Sequence, residues 1–442
     1  MGEKLTKLNK YLSGILFSII LFNFLAISNN SYLFIKPVLS SFFLLSIPGV
    51  LLLLIFRIKN LPSWEYVLYM IGLSISTIIF VGLIGSYILP IVRINKPLSL
   101  YPLLIALNIV FIILWIIAYF RNNQLKVYFK IPKLDNLNII FICFPVIFLG
   151  TSISGAINLN NQGSGYLTTM MLAGIGLYVF FAAIYRNKLN ENIYPFAILL
   201  FSASLLLMYS LRSWHISGWD ILEEFKIFQV TKEKQFWSPL NFPGNPYNAC
   251  LSITILPTML SIFLDIKDEY IFKLIFPLIF SFTSLGIYLL VKKYVYNLGA
   301  FLAAFFFMSQ ARFITEMTVA MRQEISLLFF ILSILILFNQ SISEIPKNLF
   351  FIIFSFSMII THYTTTYIAL GLYVFTYLVN KFFINTKKKY QFQSSYTKLN
   401  LVKNIKDKTV IKNQSPNNVV VQTLSGFLEF KAVGRLISYP QR

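Results

Sequence analysis

Residues 193–225 read IYPFAILLFSASLLLMYSLRSWHISGWDILEEF, and this stretch decides the fold class. Its first part, 193–211, is an apolar run of the length that a membrane-spanning helix needs, about 20 residues. A charged stretch, 213–225, follows directly and contains three carboxylates and one of the two histidines of the chain. The whole chain is 57% hydrophobic and only 12% charged, whereas a soluble protein carries about a quarter charged residues. The sequence therefore predicts an all-α polytopic membrane protein without a soluble β domain.

Similar apolar runs lie on both sides of this stretch, and together they predict about 12 membrane-spanning helices, within a range of about 11 to 13. Residues 249–264 are apolar but short, and they contain Pro257. We expect them to lie along the outer surface or to re-enter, because a span there would move the later basic clusters to the outer side. A twelve-span count without them uses the runs 11–28, 38–57, 65–89, 98–120, 137–156, 166–185, 193–211, 270–291, 296–312, 324–340, 347–361 and 363–381.

The basic residues orient the chain. A net charge of +21 would suit nucleic acid, but Lys and Arg lie in short loops and in the C-terminal tail, and no groove-binding module is visible. The loops around Lys4, Arg57, Arg121 and Arg186 are richer in basic residues than the alternate loops, which makes their side cytoplasmic. We therefore expect a multi-pass plasma-membrane protein with both termini cytoplasmic and its first run an uncleaved anchor. No nucleic-acid partner is expected.

Composition suggests three regions. Residues 1–192 form an N-terminal six-helix membrane region, and residues 193–382 form a second membrane region with an extracytoplasmic loop at 212–248. From 383 to 442 the chain is rich in Lys, Asn, Gln and Ser, which predicts a basic, polar, poorly ordered cytoplasmic tail. The stretch 419–439 is mildly apolar again and has no obvious stop, so a further portion beyond it stays open.

The acidic stretch is the first candidate site. A helix over 219–230 would place Asp220, Glu223 and Glu224 within an arc of roughly 100°, with the aromatic residues on the other side. Such a helix can lie flat at the interface, with its aromatics in the headgroups and its acids toward water. A carboxylate there could act as a general base, two could hold Mg²⁺ or Mn²⁺ against a phosphate, and His215 could share a proton. The alternative is a solvated polar face without a function.

Two further segments on the same predicted side carry charge. Arg322 could neutralise a phosphate, with Glu316 or Glu324 as an additional acidic ligand, or these could be helix-end charges that reach for water. His362 and Tyr363 lie at the junction of two runs, where an ionisable group is costly and usually functional, although His362 could be a hydrogen-bonded bundle residue. The sequence has no nucleotide-binding motif, so we expect a substrate that enters from the lipid.

These features resemble the GT-C superfamily, the polytopic glycosyltransferases that use lipid-linked sugars. The resemblance covers the region from about residue 200 to 382, and finer features are similar to an archaeal integral-membrane family of unknown function. The residues that carry it are His215, Gly218, Asp220, Glu223, Glu224, Asn245–Tyr247–Asn248, Lys292–Tyr294, Arg322–Glu324, Ile47–Pro48–Gly49 and His362–Tyr363.

The resemblance implies inverting transfer of a sugar from a polyprenyl- or dolichyl-phosphate-linked donor to a protein or glycan acceptor of the cell envelope. It assigns catalysis to Asp220, with Glu224 second and Glu223 and His215 as helpers. Arg322, His362 and Tyr363 would bind the substrate phosphate, and a divalent cation would be held by Asp220, Glu224 and Glu316. Here seven predicted spans precede the acidic loop, about six more than in the superfamily, which usually places that loop after the first span.

Two other functions stay open. A transporter or flippase for a lipid-linked glycan or a small solute would place ionisable residues in mid-span, on paired broken helices. A non-catalytic scaffold of envelope assembly would use the acidic helix as a docking face.

Overall fold

The computed structural model describes residues 2–28, 35–58, 61–122 and 135–382, with side chains from residue 11 onward. These residues form helices and turns without a β-strand, as the composition predicts. The chain divides into two compact units, Met1–Thr366 and Tyr367–Arg442. Residues 367–382 of the second unit are helical. The predicted tail, 383–442, lies outside the described residues.

Among the described residues of the first unit, fifteen α-helices follow one another along the chain. They are α1 (Gly2–Ile27), α2 (Ile35–Ile55), α3 (Ser63–Ile88), α4 (Leu100–Arg121), α5 (Asn136–Asn160), α6 (Tyr166–Ile184), α7 (Ile193–Ser210), α8 (Trp219–Lys234), α9 (Ile255–Leu264), α10 (Asp268–Tyr270), α11 (Phe276–Val291), α12 (Asn297–Met308), α13 (Ala311–Thr315), α14 (Met321–Leu337) and α15 (Glu344–Thr361). A π-helical turn, Ile271–Ile275, joins α10 to α11, so that Asp268–Val291 form one 24-residue span.

Eight helices in the described part of the chain are long and apolar enough to cross a membrane, or nine if one bent pair counts as a single span. The protein is therefore a multi-pass membrane protein by composition, but the count of about twelve is not confirmed. The apolar part of α1 spans 17 residues, Tyr11–Ile27, and α14 has 17 residues with Arg322 in its first turn. The run predicted at 296–312 ends at Met308, and the chain then bends by 65° into Ala311–Val319.

Helix α9 lies within residues 249–264, which either cross the membrane or return to the side on which they start. It has 10 residues, which at 1.5 Å each cover about half of a bilayer core of roughly 30 Å. Its end lies beside α2 and α8, because Lys36 pairs with Asp265 at 3.1 Å and Lys232 with Asp268 at 2.7 Å. The segment therefore returns to the side on which it starts, as the charge rule predicts. It is buried among α2, α3 and α4, however, and does not lie along the outer surface.

Hydrogen bonds between loops define two ends of the helix array. At one end Leu98 N donates to Gln235 O at 2.8 Å, and Ser213 N donates to Asn160 Oδ1 at 2.6 Å. These loops are the ones predicted to be extracytoplasmic, and we call this the α8 end. At the opposite end Lys292 pairs with Glu191 at 3.1 Å. The alternation predicted from the loop charges is therefore consistent with the fold up to α7.

The Ile47–Pro48–Gly49 feature has a packing role. An added Cβ at Gly49 would lie 1.9 Å from the carbonyl oxygen of Met70, so α2 and α3 contact each other through their backbones there. Gly49 N also donates a hydrogen bond to Ser74 Oγ at 2.9 Å. Small residues that permit such close approach are the usual means of helix association in membranes.

Candidate functional site

Helix α8 carries the acidic motif, and its buried face differs from the predicted one. Trp219 is 94% exposed and Leu222 is 51% exposed, whereas Glu224 is completely buried. The expectation that all three acids face water is therefore wrong for Glu224. The buried residues repeat at three or four positions, which places them on one side of the helix: Ile221, Glu224, Ile227, Phe228 and Thr231.

A glycine and a bent connection bring α8 to the start of α14. Gly218 precedes α8 with φ of +129°, a conformation that side-chain-bearing residues rarely adopt. An added Cβ would lie 3.1 Å from Val319, so the connection between α13 and α14 contacts the start of α8 closely. This contact places Arg322, in the first turn of α14, against the acidic face of α8.

Arg322 is the centre of the site. Its Nη1 donates to Glu224 Oε1, and its Nη2 donates to Asp220 Oδ2 at 3.0 Å. The second oxygen of Glu224 accepts from the backbone N–H of Met321 at 2.9 Å. The side chain of Arg322 is 5% exposed, that of Glu224 is 0% exposed and that of Asp220 is 42% exposed. Glu224 therefore serves as the buried anchor of the guanidinium, while Asp220 remains accessible from outside.

A loop after α8 completes the site with a tyrosine. Tyr247 Oη accepts from Arg322 Nη2 at 3.0 Å, and the guanidinium carbon lies 3.8 Å from the centre of the tyrosine ring. Asn245 Nδ2 donates to Glu223 Oε1 at 3.0 Å, which attaches the same loop to α8. Trp237 Nε1 donates to Asn248 O at 3.0 Å and secures the other end of the loop.

The two histidines have different positions. The ring of His215 is exposed, and its backbone is held by Lys273, whose Nζ donates to His215 O at 3.2 Å. His362 is buried directly after α15, and its Nδ1 lies 2.7 Å from Thr365 Oγ1. Burial is the main cause that lowers the pKa of His362 to about 4, and the charge of Arg322 lowers it further. The neighbouring Tyr363 is 38% exposed.

Burial also changes the acid–base properties of the site. It acts to raise the pKa of Glu224, while Arg322 and the Met321 N–H oppose that shift and favour the ionised form. It raises the pKa of Tyr247 as well, while Arg322 opposes that shift. His362 is neutral near pH 7 and can only exchange hydrogen bonds with a phosphate, so its predicted role does not include charge neutralisation.

The predicted acidic ligands of a metal are not arranged as a metal centre. Both oxygens of Glu224 are engaged, and Glu316 pairs with Arg312 at 3.4 Å on the exposed surface. Glu324 is buried, and neither of its carboxyl oxygens has a hydrogen-bond partner among the described residues. Within those residues no group of three or more His, Cys, Asp or Glu side chains could hold a metal ion. A divalent cation therefore stays a prediction, and no step below depends on it.

Two cavities meet at the loop after α8. The acidic cleft has a volume of about 1090 Å³ and is lined by Asp220, Glu223, Lys226, Asn245 and Tyr247, among others. The apolar groove has a volume of about 580 Å³ and runs from Trp237 and Phe242 to Leu83 and Tyr87 of α3. The two cavities share the residues Gly244, Asn245 and Pro246. A ligand with a polar head and an apolar tail could therefore occupy both.

Sequence reasoning brought Asp220, Glu224 and Arg322 together correctly but gave Tyr247 no role. The Asn245–Tyr247–Asn248 motif was a usable signal, because it follows the acidic helix and combines an aromatic ring with two amides. Arg212 and Lys273 were also missed. Lys273 is a single cation inside an apolar run, which is a costly position and therefore a recognisable one.

The comparisons with known proteins identify no relative: no protein-family model, no curated protein and no solved structure matches this chain.

Proposed function

We propose that this protein is a membrane glycosyltransferase that uses a polyprenyl-phosphate-linked sugar donor. The observation that supports the proposal most strongly is the pairing of the acidic cleft with the apolar groove at one loop. A sugar and its acceptor need hydrogen-bonding side chains, whereas a polyprenyl chain needs an apolar surface that continues into the membrane. The acidic cleft offers hydrogen-bonding side chains. The apolar groove offers a surface that continues into the membrane, since Leu83 and Tyr87 belong to a predicted membrane-spanning helix.

Asp220 is the residue suited to act as the base. It lines the acidic cleft, and one of its oxygens is fixed by Arg322 while its side chain remains 42% exposed. In the proposed reaction an acceptor hydroxyl attacks the anomeric carbon of the sugar. The bond between that carbon and the phosphate oxygen breaks, the polyprenyl phosphate leaves with the electron pair, and Asp220 receives the hydroxyl proton.

Glu224, Arg322 and Tyr247 then act as positioning residues. Arg322 contacts Glu224, Asp220 and Tyr247 at once, so that the orientation of Asp220 depends on a buried ion pair and on a stacked ring. Removing this support would move the base without removing it. Glu223, which is attached to Asn245, would shape the wall of the cleft for the sugar hydroxyls.

The proposal is tested with the full-length protein in native membranes and in detergent micelles. Sugar transfer from a radiolabelled polyprenyl-phosphate-linked donor would be measured for the wild type, Asp220→Asn and Asp220→Glu. A general base contributes about 10²- to 10⁴-fold, so we expect Asp220→Asn to lose at least about 100-fold in rate. The matched control is Glu233→Gln, an exposed acid on the same helix.

Transfer by Asp220→Asn at the rate of Glu233→Gln would remove Asp220 from the mechanism. Absence of transfer by the wild type with every donor tested, together with movement of a lipid-linked glycan across a reconstituted bilayer, would favour the transporter instead. An unchanged envelope glycan after gene deletion would favour the scaffold.

A further inference from the structure

A third cavity begins on the other side of Asp220. It has a volume of about 530 Å³, and we call it the basic cavity because it combines two cations with the start of α8. Gly218, Trp219 and Asp220 line both this cavity and the acidic cleft, so the two spaces adjoin at the start of α8. The lining residues used below are Arg212, Ser213, Gly218, Trp219, Asp220 and Lys273.

Lys273 is a buried cation without an ion pair. The residue is 5% exposed, and its Nζ donates to the carbonyl oxygens of Ser213 and His215. An ammonium group has three N–H donors, and the two carbonyl oxygens accept from two of them. The third N–H has no acceptor among the described residues. Glu269 acts on it electrostatically from one turn earlier, but the two form no ion pair within the described residues. A buried charge without an ion-pair partner is costly, so an anion that entered the cavity would be stabilised beside Lys273.

Two more features of the basic cavity favour an anion. Arg212 is exposed and forms no ion pair in the described part of the chain. The start of α8 also lies at this cavity, because Gly218 and Trp219 line it, and no side chain caps the helix. Free N–H groups and the helix dipole at such a start attract phosphate, in addition to the two cations.

The cavity also lies where a membrane surface is expected. Trp214 and Trp219 are 50% and 94% exposed beside it, and Tyr209 lines it. Exposed tryptophans and tyrosines concentrate at the level of the lipid headgroups. A phosphoryl group attached to a lipid would reach the basic cavity at that depth.

Arg322, in contrast, is already neutralised. Its guanidinium contacts two carboxylates, those of Asp220 and Glu224, and it is 5% exposed. A phosphate that approached it would also approach both carboxylates. Arg212 and Lys273 form no ion pair within the described residues, and Asp220 is the one carboxylate that lines their cavity.

We propose that the basic cavity binds the phosphoryl headgroup of a membrane lipid through Arg212, Lys273 and the first N–H groups of α8. The site is separate from the proposed donor site, because a phosphate that joins a sugar in the acidic cleft to a chain in the apolar groove would lie near Gly244, Asn245 and Pro246. The binding site itself stands on the cavity and its cations, and it can be tested without any transfer reaction.

The test measures binding to the purified full-length protein in maltoside micelles, which contain no phosphate. The probe is farnesyl phosphate, the control ligand is farnesol, and the signal is tryptophan fluorescence, since Trp214 and Trp219 flank the cavity. A hydrogen bond to a charged group contributes about 1.5–3 kcal/mol, so we expect Arg212→Gln and Lys273→Gln each to weaken farnesyl phosphate binding by about tenfold or more. Farnesol should bind all variants alike, and Lys267→Gln, an exposed lysine near Lys273 in sequence, should bind as the wild type.

Competition experiments identify the source of the phosphate. Displacement of the probe by inorganic phosphate supports a site for a free phosphoryl group, and displacement by phosphatidylglycerol but not by inorganic phosphate supports a lipid headgroup site. If Lys273→Gln fails to fold, Arg212→Gln still tests the site, because Arg212 is exposed and we expect its replacement to leave the packing unchanged. Equal farnesyl phosphate affinity in the wild type and both variants, or no binding to the wild type, would overturn the proposal. If the variants lose farnesyl phosphate binding but the wild type transfers no sugar, the phosphate site stands and the proposed glycosyltransferase activity does not.

Discussion

The buried ion pair between Arg322 and Glu224 makes a stability prediction that does not depend on function. Arg322→Met removes one partner and leaves the Glu224 carboxylate at 0% exposure with only the Met321 N–H. Removing one partner of a buried ion pair costs about 3–5 kcal/mol, because the remaining charge has lost its counter-ion. Asp220 also loses its contact with Arg322, but at 42% exposure it regains water, so that this second loss adds less than about 1 kcal/mol.

The double variant Glu224→Leu/Arg322→Met separates the ion pair from the packing. Replacing both partners by apolar side chains removes the unpaired charge, and such replacements are often close to neutral. We therefore expect the double variant to be more stable than Arg322→Met alone, with a coupling free energy of about 2–3 kcal/mol between the two sites. Arg312→Met is the control, because it breaks a pair whose side chains are 84% and 58% exposed, for an expected cost of at most about 0.5 kcal/mol.

The assay is denaturation of the full-length protein in mixed micelles with increasing dodecyl sulfate, followed by far-ultraviolet circular dichroism. The midpoint should fall most for Arg322→Met, recover in the double variant and stay near that of the wild type for Arg312→Met. Additive losses in the double variant would refute the coupling. A midpoint of Arg322→Met equal to that of Arg312→Met would refute the burial of the pair.

Two further predictions concern the backbone and the pH response. Gly218→Ala should lose about 1–3 kcal/mol in the same assay, because φ is +129° and the new Cβ would lie 3.1 Å from Val319; Gly150→Ala, with no atom within 4 Å of its Cβ, is the control, and equal effects would contradict the reasoning. The pKa of His362 is lowered from 6.5 to about 4, so between these values the unfolded chain binds a proton that the folded chain does not. Its contribution to stability is therefore lost as the pH falls through that window, and the midpoint of the wild type should fall more steeply between pH 7 and pH 4.5 than that of His362→Gln. Parallel slopes for the two proteins would show that this histidine titrates normally.

The sequence predicted the parts of this fold that depend on local signals. Gly218 before an amphipathic stretch predicted the start of α8, and the shortness of 249–264 together with the loop charges predicted that this segment does not span. The convergence of Asp220 and Arg322 also followed from the sequence, because both lie in loops on the same predicted side. These predictions depend on spacing within a segment or on the distribution of charges among the loops.

The face that α8 buries could not be predicted in this way. A helical wheel ranks side chains by polarity, and by that ranking Glu224 faces water and Leu222 does not. In the structure a partner 98 positions later, Arg322, makes the burial of Glu224 possible and leaves Leu222 exposed. The break after Met308 was also missed, because Ser309 and Gln310 are too few polar residues to interrupt a hydropathy pattern.

Helix α9 has a consequence for how the chain is assembled during synthesis. With 10 residues it is too short to be recognised as a membrane-spanning segment by itself, and its backbone ends cannot remain exposed to lipid. It is buried against α2, α3, α4 and α8, so we expect these four helices to be in place before α9 reaches its depth. The position of α9 therefore depends on helices that precede it in the chain and are synthesised before it.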